Sequence, residues 1–208
     1  MKIKILTVFL CTTLLLTMLS SCAAKDKFLK NCGEDVISMM AEMLESDEFA
    51  EVYEVPDQLM ETISKLSDGD FQEIDEIYEL IIPVDQFTET SFDEDDFSED
   101  LYQYVCSSAY VSFANRINVQ SGNESLAASS MYCAQKCFTN RKLEENTIYL
   151  YVFEDACPIA ISFTMSGKDT IRATGYFIIN DEFDTDDEDS IRKSCKNFGF
   201  SGVTVEKR

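Results

Sequence analysis

The stretch Thr147-Ile148-Tyr149-Leu150-Tyr151-Val152-Phe153 opens the part of the chain that decides its fold. Two further runs follow, Pro158–Met165 and Thr170–Asn180. Their apolar period is close to 2, the period of a strand whose successive side chains face opposite sides. The links between them, Glu154-Asp155-Ala156 and Ser166-Gly167-Lys168-Asp169, are short and polar or glycine-bearing. Such links between alternating runs predict hairpins, so the three runs read as an antiparallel meander. Ile159, Ile161, Phe163 and Met165 share one face of the second run. Ile171, Ala173, Gly175, Phe177 and Ile179 do so in the third. These faces are expected to pack on helices. The first run is apolar on both sides. If its aliphatic set, Ile148, Leu150 and Val152, joins the core, then Tyr149, Tyr151, Arg172, Thr174 and Tyr176 gather on the opposite face. Rings beside a guanidinium and hydroxyls suit a glycan or a peptide, and these five are the candidate ligand-binding residues.

Downstream, Thr185-Asp186-Asp187-Glu188 has the form of a capping box, and a helix is expected through about Phe198. Its acidic start and its basic end (Arg192, Lys193, Lys196) both suit the helix dipole. Gly199 ends it, and Gly202-Val203-Thr204-Val205 reads as a last short strand.

Upstream, the period is helical. Val36, Met40, Met43 and Leu44 give a helix over Gly33–Glu45, with its methionines read as core filler. Pro56 opens a second helix, with Leu59, Met60, Ile63 and Leu66 on one face. Phe71, Ile74, Ile77, Tyr78 and Ile81 read as a third helical stripe, stopped by Pro83. Residues 84–98, with Asp93-Glu94-Asp95-Asp96 flanked by Phe87, Phe92 and Phe97, read as an acidic surface loop. Ser98 caps the longest expected helix, about Glu99 to Val119, and Asn123 caps another through Phe138. Lys136, Arg141 and Lys142 supply the cations favoured at its end. The class is therefore α+β. A helical N-terminal half, residues 32–140, packs on an antiparallel meander of three or four strands with a late helix, residues 147–208. Residues 32–208 are read as a single domain.

The first residues carry an address. Lys2 and Lys4 precede an apolar run from Ile5 to Leu19, then Ser20, Ser21 and Cys22. A basic start, an apolar centre and a small-residue end form an export signal. The run is roughly 15 residues, short of the about 20 that a membrane span requires. Leu19-Ser20-Ser21-Cys22 resembles the lipobox of bacterial lipoprotein precursors. The resemblance covers this segment alone. It implies cleavage before Cys22 and attachment of lipid, palmitate included, to that cysteine. Residues 1–21 are then the signal peptide and 22–31 a lipidated tether. The domain is exported and held by its lipid at the cell membrane, facing outside the cytoplasm. The alternatives are an ordinary secretory signal or an uncleaved anchor helix.

Charge and composition narrow the partners. The chain has 39 acidic and 17 basic residues, for a net charge of −22. Such a surface repels phosphate backbones, so nucleic acid is not an expected partner. It also repels anionic lipid, so the membrane contact is expected through the lipid on Cys22 rather than a basic face. There is no histidine, which removes the commonest general base and metal ligand. Six cysteines follow Cys22: Cys32, Cys106, Cys133, Cys137, Cys157 and Cys195. In an exported chain they are candidate disulfide residues of open connectivity, with buried thiols the alternative. Cys133 and Cys137 have the i, i+4 spacing of a helix, a weak metal signal without a second pair. Asp68-Gly69-Asp70 does not meet the register of a calcium loop. No nucleophile elbow or phosphate loop is present, and Ser190-Ile191-Arg192-Lys193 matches Ser-x-x-Lys without the other motifs of that class. No catalytic residue, metal or cofactor is expected. The reading is a membrane-anchored, non-catalytic binding or scaffolding module at the cell envelope. It would engage a glycan, a peptide or an envelope protein. The alternatives are a hydrolase using carboxylates and an accessory subunit of an envelope complex.

Overall fold

The computed structural model describes residues 2–47, 56–67, 74–86, 113–120, 122, 131–136, 147–165 and 170–208. Residues 2–22 and 131–136 are described as backbone alone. Along the chain come α1 (Lys2–Leu44), α2 (Asp57–Ser67), β1 (Glu76–Ile81), a 3-10 turn (Val84–Gln86) and α3 (Phe113–Gln120). Then follow β2 (Met131–Lys136), β3 (Thr147–Phe153), β4 (Ala156–Met165), β5 (Thr170–Phe177), α4 (Glu188–Asn197) and β6 (Thr204–Lys207). The strands pair in the order β2-β5-β4-β3-β1-β6, every neighbour antiparallel. The fold is α+β, with the expected meander β3-β4-β5 at its centre.

Helices cover both faces of this sheet. On one face, Leu29, Val36, Ile37, Met40 and Leu44 of α1 and Leu59, Ile63 and Leu66 of α2 pack in one apolar cluster. They meet Tyr149, Tyr151, Ile159, Ile161, Phe163 and Phe177 of the sheet. On the other face, Phe113, Ala114 and Ile117 of α3 and Ile191 and Cys195 of α4 lie over Leu80, Ile148, Leu150, Ala160 and Tyr176. This explains why β3 is buried along its whole length. A strand covered on both sides reads as a continuous apolar run, not an alternating one.

Two glycines set how closely α1 approaches the sheet. A Cβ on Gly33 would lie 2.2 Å from Cε1 of Tyr151. One on Gly175 of β5 would lie 2.3 Å from Sδ of Met40 and 3.0 Å from Cγ1 of Val36. The helix backbone meets a ring at one point and the strand backbone meets side chains at the other. Neither site has room for a side chain.

The late helix keeps its expected place with a different cap. Asp187, not Thr185, is the N-cap: its Oδ1 accepts the Ser190 N–H at 2.7 Å. Gly199, at φ +84°, ends the helix in a Schellman motif. Its N–H donates to Lys196 O at 3.0 Å and the Phe200 N–H to Cys195 O at 2.9 Å. Arg116 of α3 ties this end to the rest. It donates to Gln86 O at 2.9 Å and Gly199 O at 3.2 Å while lying over the Phe200 ring. The last expected strand is β6, which adds to the sheet beside β1. Glu188 Oε1 accepts the Lys207 N–H at 3.0 Å, so part of this edge is closed to further pairing.

Three expected elements differ. Residues 76–81, read as the end of a helical stripe, form β1, because Ile77 faces one helical layer while Tyr78 and Leu80 face the other. Residues 131–136, read within a helix, form β2, paired with β5 from Met131↔Gly175 to Lys136↔Thr170. Cys133 is therefore on a strand, and the helical spacing of Cys133 and Cys137 does not apply. The sheet thus draws strands from both halves of the chain. Residues 23–31, read as a tether, belong to α1, and Leu29 is already fully buried. Their alanines, lysines and leucine favour helix, and no glycine or proline interrupts them before Gly33. Among the residues whose side chains are described, no helix is long and apolar enough to cross a membrane. The acidic loop around Asp93–Asp96, residues 99–112 of the longest expected helix, and Arg141 and Lys142 lie outside the described residues.

Candidate functional site

The five candidate ligand residues do not gather on one face. Tyr149 and Tyr151 face α1, whereas Thr174 and Tyr176 face the other helical layer, and all four are buried. The backbone of Arg172 sits between Thr164 and Ala134 in the register. The premise that failed was that one set from β3 must remain outside the core. With helices on both faces, both sets are core.

The two tyrosines instead hold the stretch of α1 from Lys25 to Gly33. The Tyr151 O–H donates to Leu29 O at 2.9 Å, one turn before Gly33 lies on its ring. Burial, with Cys32 and Tyr149 nearby, holds its phenol well above the usual range. Tyr149 lies beside a buried charge cluster centred on Glu79, which is only 2% exposed. Lys25 Nζ reaches Glu79 Oε1 at 2.9 Å, and the Tyr149 O–H donates to the same oxygen at 3.4 Å. Arg208 pairs with Glu79 Oε2 and lies 3.3 Å from Glu206 Oε2. A carboxylate taken out of water this completely requires such partners. A helical period over β1 leaves Glu79 off the stripe of Phe71, Ile74, Ile77, Tyr78 and Ile81 and gives no reason to bury it.

An open concave surface among the described residues lies elsewhere, around the turn that follows β5. It comprises two adjoining hollows of about 340 and 530 Å³ that share Gln58, Ile179, Asn180 and Asp181. One wall is α2, through Gln58, Glu61, Thr62 and Lys65, and the β3–β4 hairpin closes one end. Gln120 at the end of α3 and Phe198 beyond α4 line the second hollow. Several bonds fix this geometry. Asn118 of α3, fully buried, donates through Nδ2 to Phe177 O at 2.6 Å and accepts the Ile179 N–H at 3.2 Å. Its carboxamide continues the pairing of β5 where the strand leaves the sheet. The Ile178 N–H donates to Pro158 O at 2.9 Å. Asn180 Oδ1 accepts the Glu182 N–H at 2.8 Å, setting the turn. On the other wall, Thr62 Oγ1 accepts the Cys157 N–H at 3.4 Å, and Lys65 Nζ lies 3.4 Å from Asp155 O.

The groove's chemistry is that of carboxamides and carboxylates. Gln58, Gln120 and Asn180 offer paired donors and acceptors, and among the described lining residues Glu61, Glu154, Asp155, Asp181 and Glu182 outnumber one ammonium, that of Lys65. Cys157 is the one thiol among the described residues that line it. That thiol donates to the Ile178 carbonyl, and burial pushes its pKa far above the ordinary value, so it stays protonated. A protonated thiol is a poor nucleophile. Cys32, Cys157 and Cys195 stand as thiols. Cys32 and Cys195 lie in the two core clusters, as small apolar packing residues. The side chains of Cys106, Cys133 and Cys137 lie outside the described residues. Among the described residues no three His, Cys, Asp or Glu side chains converge as a metal site. The chain matches no known protein family, curated protein or solved structure.

Proposed function

We propose that this chain is a lipid-anchored, exported module that binds or scaffolds a partner at the cell envelope without catalysis, using the groove beside α2. The observation that carries the reading is the position of Lys25, which among the described side chains is the first in the chain with a fixed partner. Lys25, paired with buried Glu79, stands three residues after Cys22 on the same helix, about 4.5 Å along its axis. A body that is already packed this close to the lipobox cysteine suits a chain cut and lipidated there. The domain would then stand close against the membrane. The groove supplies the binding surface. Its amide and carboxylate lining favours cationic or polyhydroxylated ligands and disfavours anions.

The direct test is Cys22→Ala with fractionation of the producing cells. The expected result is a domain released from membranes or a precursor left uncut, with palmitate labelling abolished. Unchanged membrane attachment and labelling would defeat the reading.

A further inference from the structure

We propose that Lys27 and Lys30 form a collar that seats the domain on the headgroups of anionic phospholipids. The inference rests on the lipid-anchor reading of Cys22 and adds a second, local basic contact to it, which the acidity of the chain as a whole gives no reason to expect. Lys27 and Lys30 follow Cys22 on α1 by about 7.5 and 12 Å along the helix axis. Both are exposed, while Leu29 between them is fully buried against the sheet. Three residues apart on a helix, they are neighbours on one side of it. Lys25 is different, since its ammonium is engaged by Glu79.

Between Cys22 and Asn31 stand three lysines and one acid, Asp26, and the acids Glu34 and Asp35 follow a turn later. From Asn31 to Ser64 the chain has no lysine or arginine, and the next is Lys65. The whole chain carries a net charge of −22. An anionic bilayer therefore attracts this turn and repels the rest of the body. The attraction decays over a Debye length of about 8–10 Å. Lys27 falls within that distance of the lipidated residue, and the flexible stem of Lys30 brings its ammonium back toward the surface. The Lys25–Glu79 pair and the Tyr151–Leu29 hydrogen bond fix this turn to the sheet. A headgroup contact here thus sets the orientation of the whole domain, with the acidic body held away from the bilayer.

The test uses the full chain, produced and processed in bacterial cells. It is reconstituted on vesicles of phosphatidylcholine alone or of phosphatidylcholine with phosphatidylglycerol. A membrane-impermeant amine-acylating reagent is applied, and each lysine is read by peptide mass. Lys27 and Lys30 are expected to react several-fold more slowly on the anionic vesicles, and the difference shrinks in molar salt. Lys65, Lys193 and Lys196, exposed elsewhere, are expected to react equally on both. Flotation with the vesicles but equal reactivity of Lys27 and Lys30 overturns the collar alone. Failure to float, with an unmodified Cys22, overturns the lipid anchor and the collar with it.

Discussion

Gly33 of α1 lies so close to the Tyr151 ring that a Cβ there would stand 2.2 Å from Cε1. Glycine inside a helix ordinarily costs about 0.5–1 kcal/mol relative to alanine. Helical preference alone therefore predicts that Gly33→Ala stabilises. The fully buried ring cannot yield that space, and overpacking of this kind costs about 1–3 kcal/mol. We expect Gly33→Ala to lower the urea midpoint. Gly175→Ala meets the flexible thioether of Met40 and should cost less. A raised midpoint for Gly33→Ala would contradict the packing described here.

The Glu79 cluster predicts an asymmetry between its members. Removing both cations with Lys25→Met and Arg208→Met strands a charge that is 2% exposed. Loss of the partners of a buried ion costs about 3–5 kcal/mol. Glu79→Gln leaves two cations whose side chains are 36% and 25% exposed and can turn to water. It should therefore destabilise less than the double variant. Equal losses in equilibrium unfolding would show that the pairs contribute little.

Asn118 holds the wall of the groove. In Asn118→Ala the Phe177 carbonyl and the Ile179 N–H lose their buried partner, at a cost of about 1–3 kcal/mol. Hydrogen exchange at Ile179 should rise together with the loss of stability. Protection at Ile179 unchanged from wild type would mean that the turn is held by other bonds.

Stability should fall at both extremes of pH. On the alkaline side, burial raises the Cys195 thiol from its ordinary value of 9.0 to about 12. The folded chain keeps this proton while the unfolded chain loses it, so stability is present below pH 9 and falls above it. Each pH unit climbed between the two values removes about 1.4 kcal/mol per such thiol. Cys157, raised further by burial, adds to the same slope. On the acid side, hydrogen bonds from Lys207 and Tyr78 lower the Glu76 carboxyl, and the Ser190 backbone N–H lowers Asp187. Their contribution is present above the ordinary carboxylate range and is lost as pH falls through the depressed values. Denaturant midpoints across pH, with Asp187→Ala converging on wild type in acid, check both signs.

The groove predicts its own ligand class. A cationic peptide or neutral glycan at about 100 times its dissociation constant should stabilise the chain by roughly 2.7 kcal/mol, visible as a shift in thermal midpoint. Gln58→Lys should weaken the shift for the peptide. Anionic ligands should give none. A shift with polyanions alone would reverse the charge argument.

The parts of the fold legible in the sequence are those with one dominant period. β4 and β5 follow from alternation, β3 from an unbroken apolar run joined to them by a short polar link, and α4 from its dipole-matched charges and Gly199. β1 was hidden because Ile74, Ile77, Tyr78 and Ile81 also fit a helical spacing, and pairing with β3 and β6 decides the matter. β2 was hidden likewise, since its pairing with β5 is a long-range fact. Most informative is β3, whose apolar residues on both sides suggest from sequence alone one core face and one open face. They mark instead a strand with helices on both sides, and that single inference displaced the site from Tyr149 and Tyr151 to the groove beyond β5. Glu79 and Asn118 carried no local signal, because their roles depend on partners 54 and 59 residues away.

The central claim is that mature protein begins at a lipidated Cys22, with its body packed from Lys25 onward. The N-terminal peptide of the chain, purified from membranes and read by mass spectrometry, tests it most directly. The account predicts a peptide that starts at Cys22 and carries the added mass of a diacylglyceryl group, with or without an acylated amine. A peptide that starts elsewhere, or an unmodified Cys22, would contradict it.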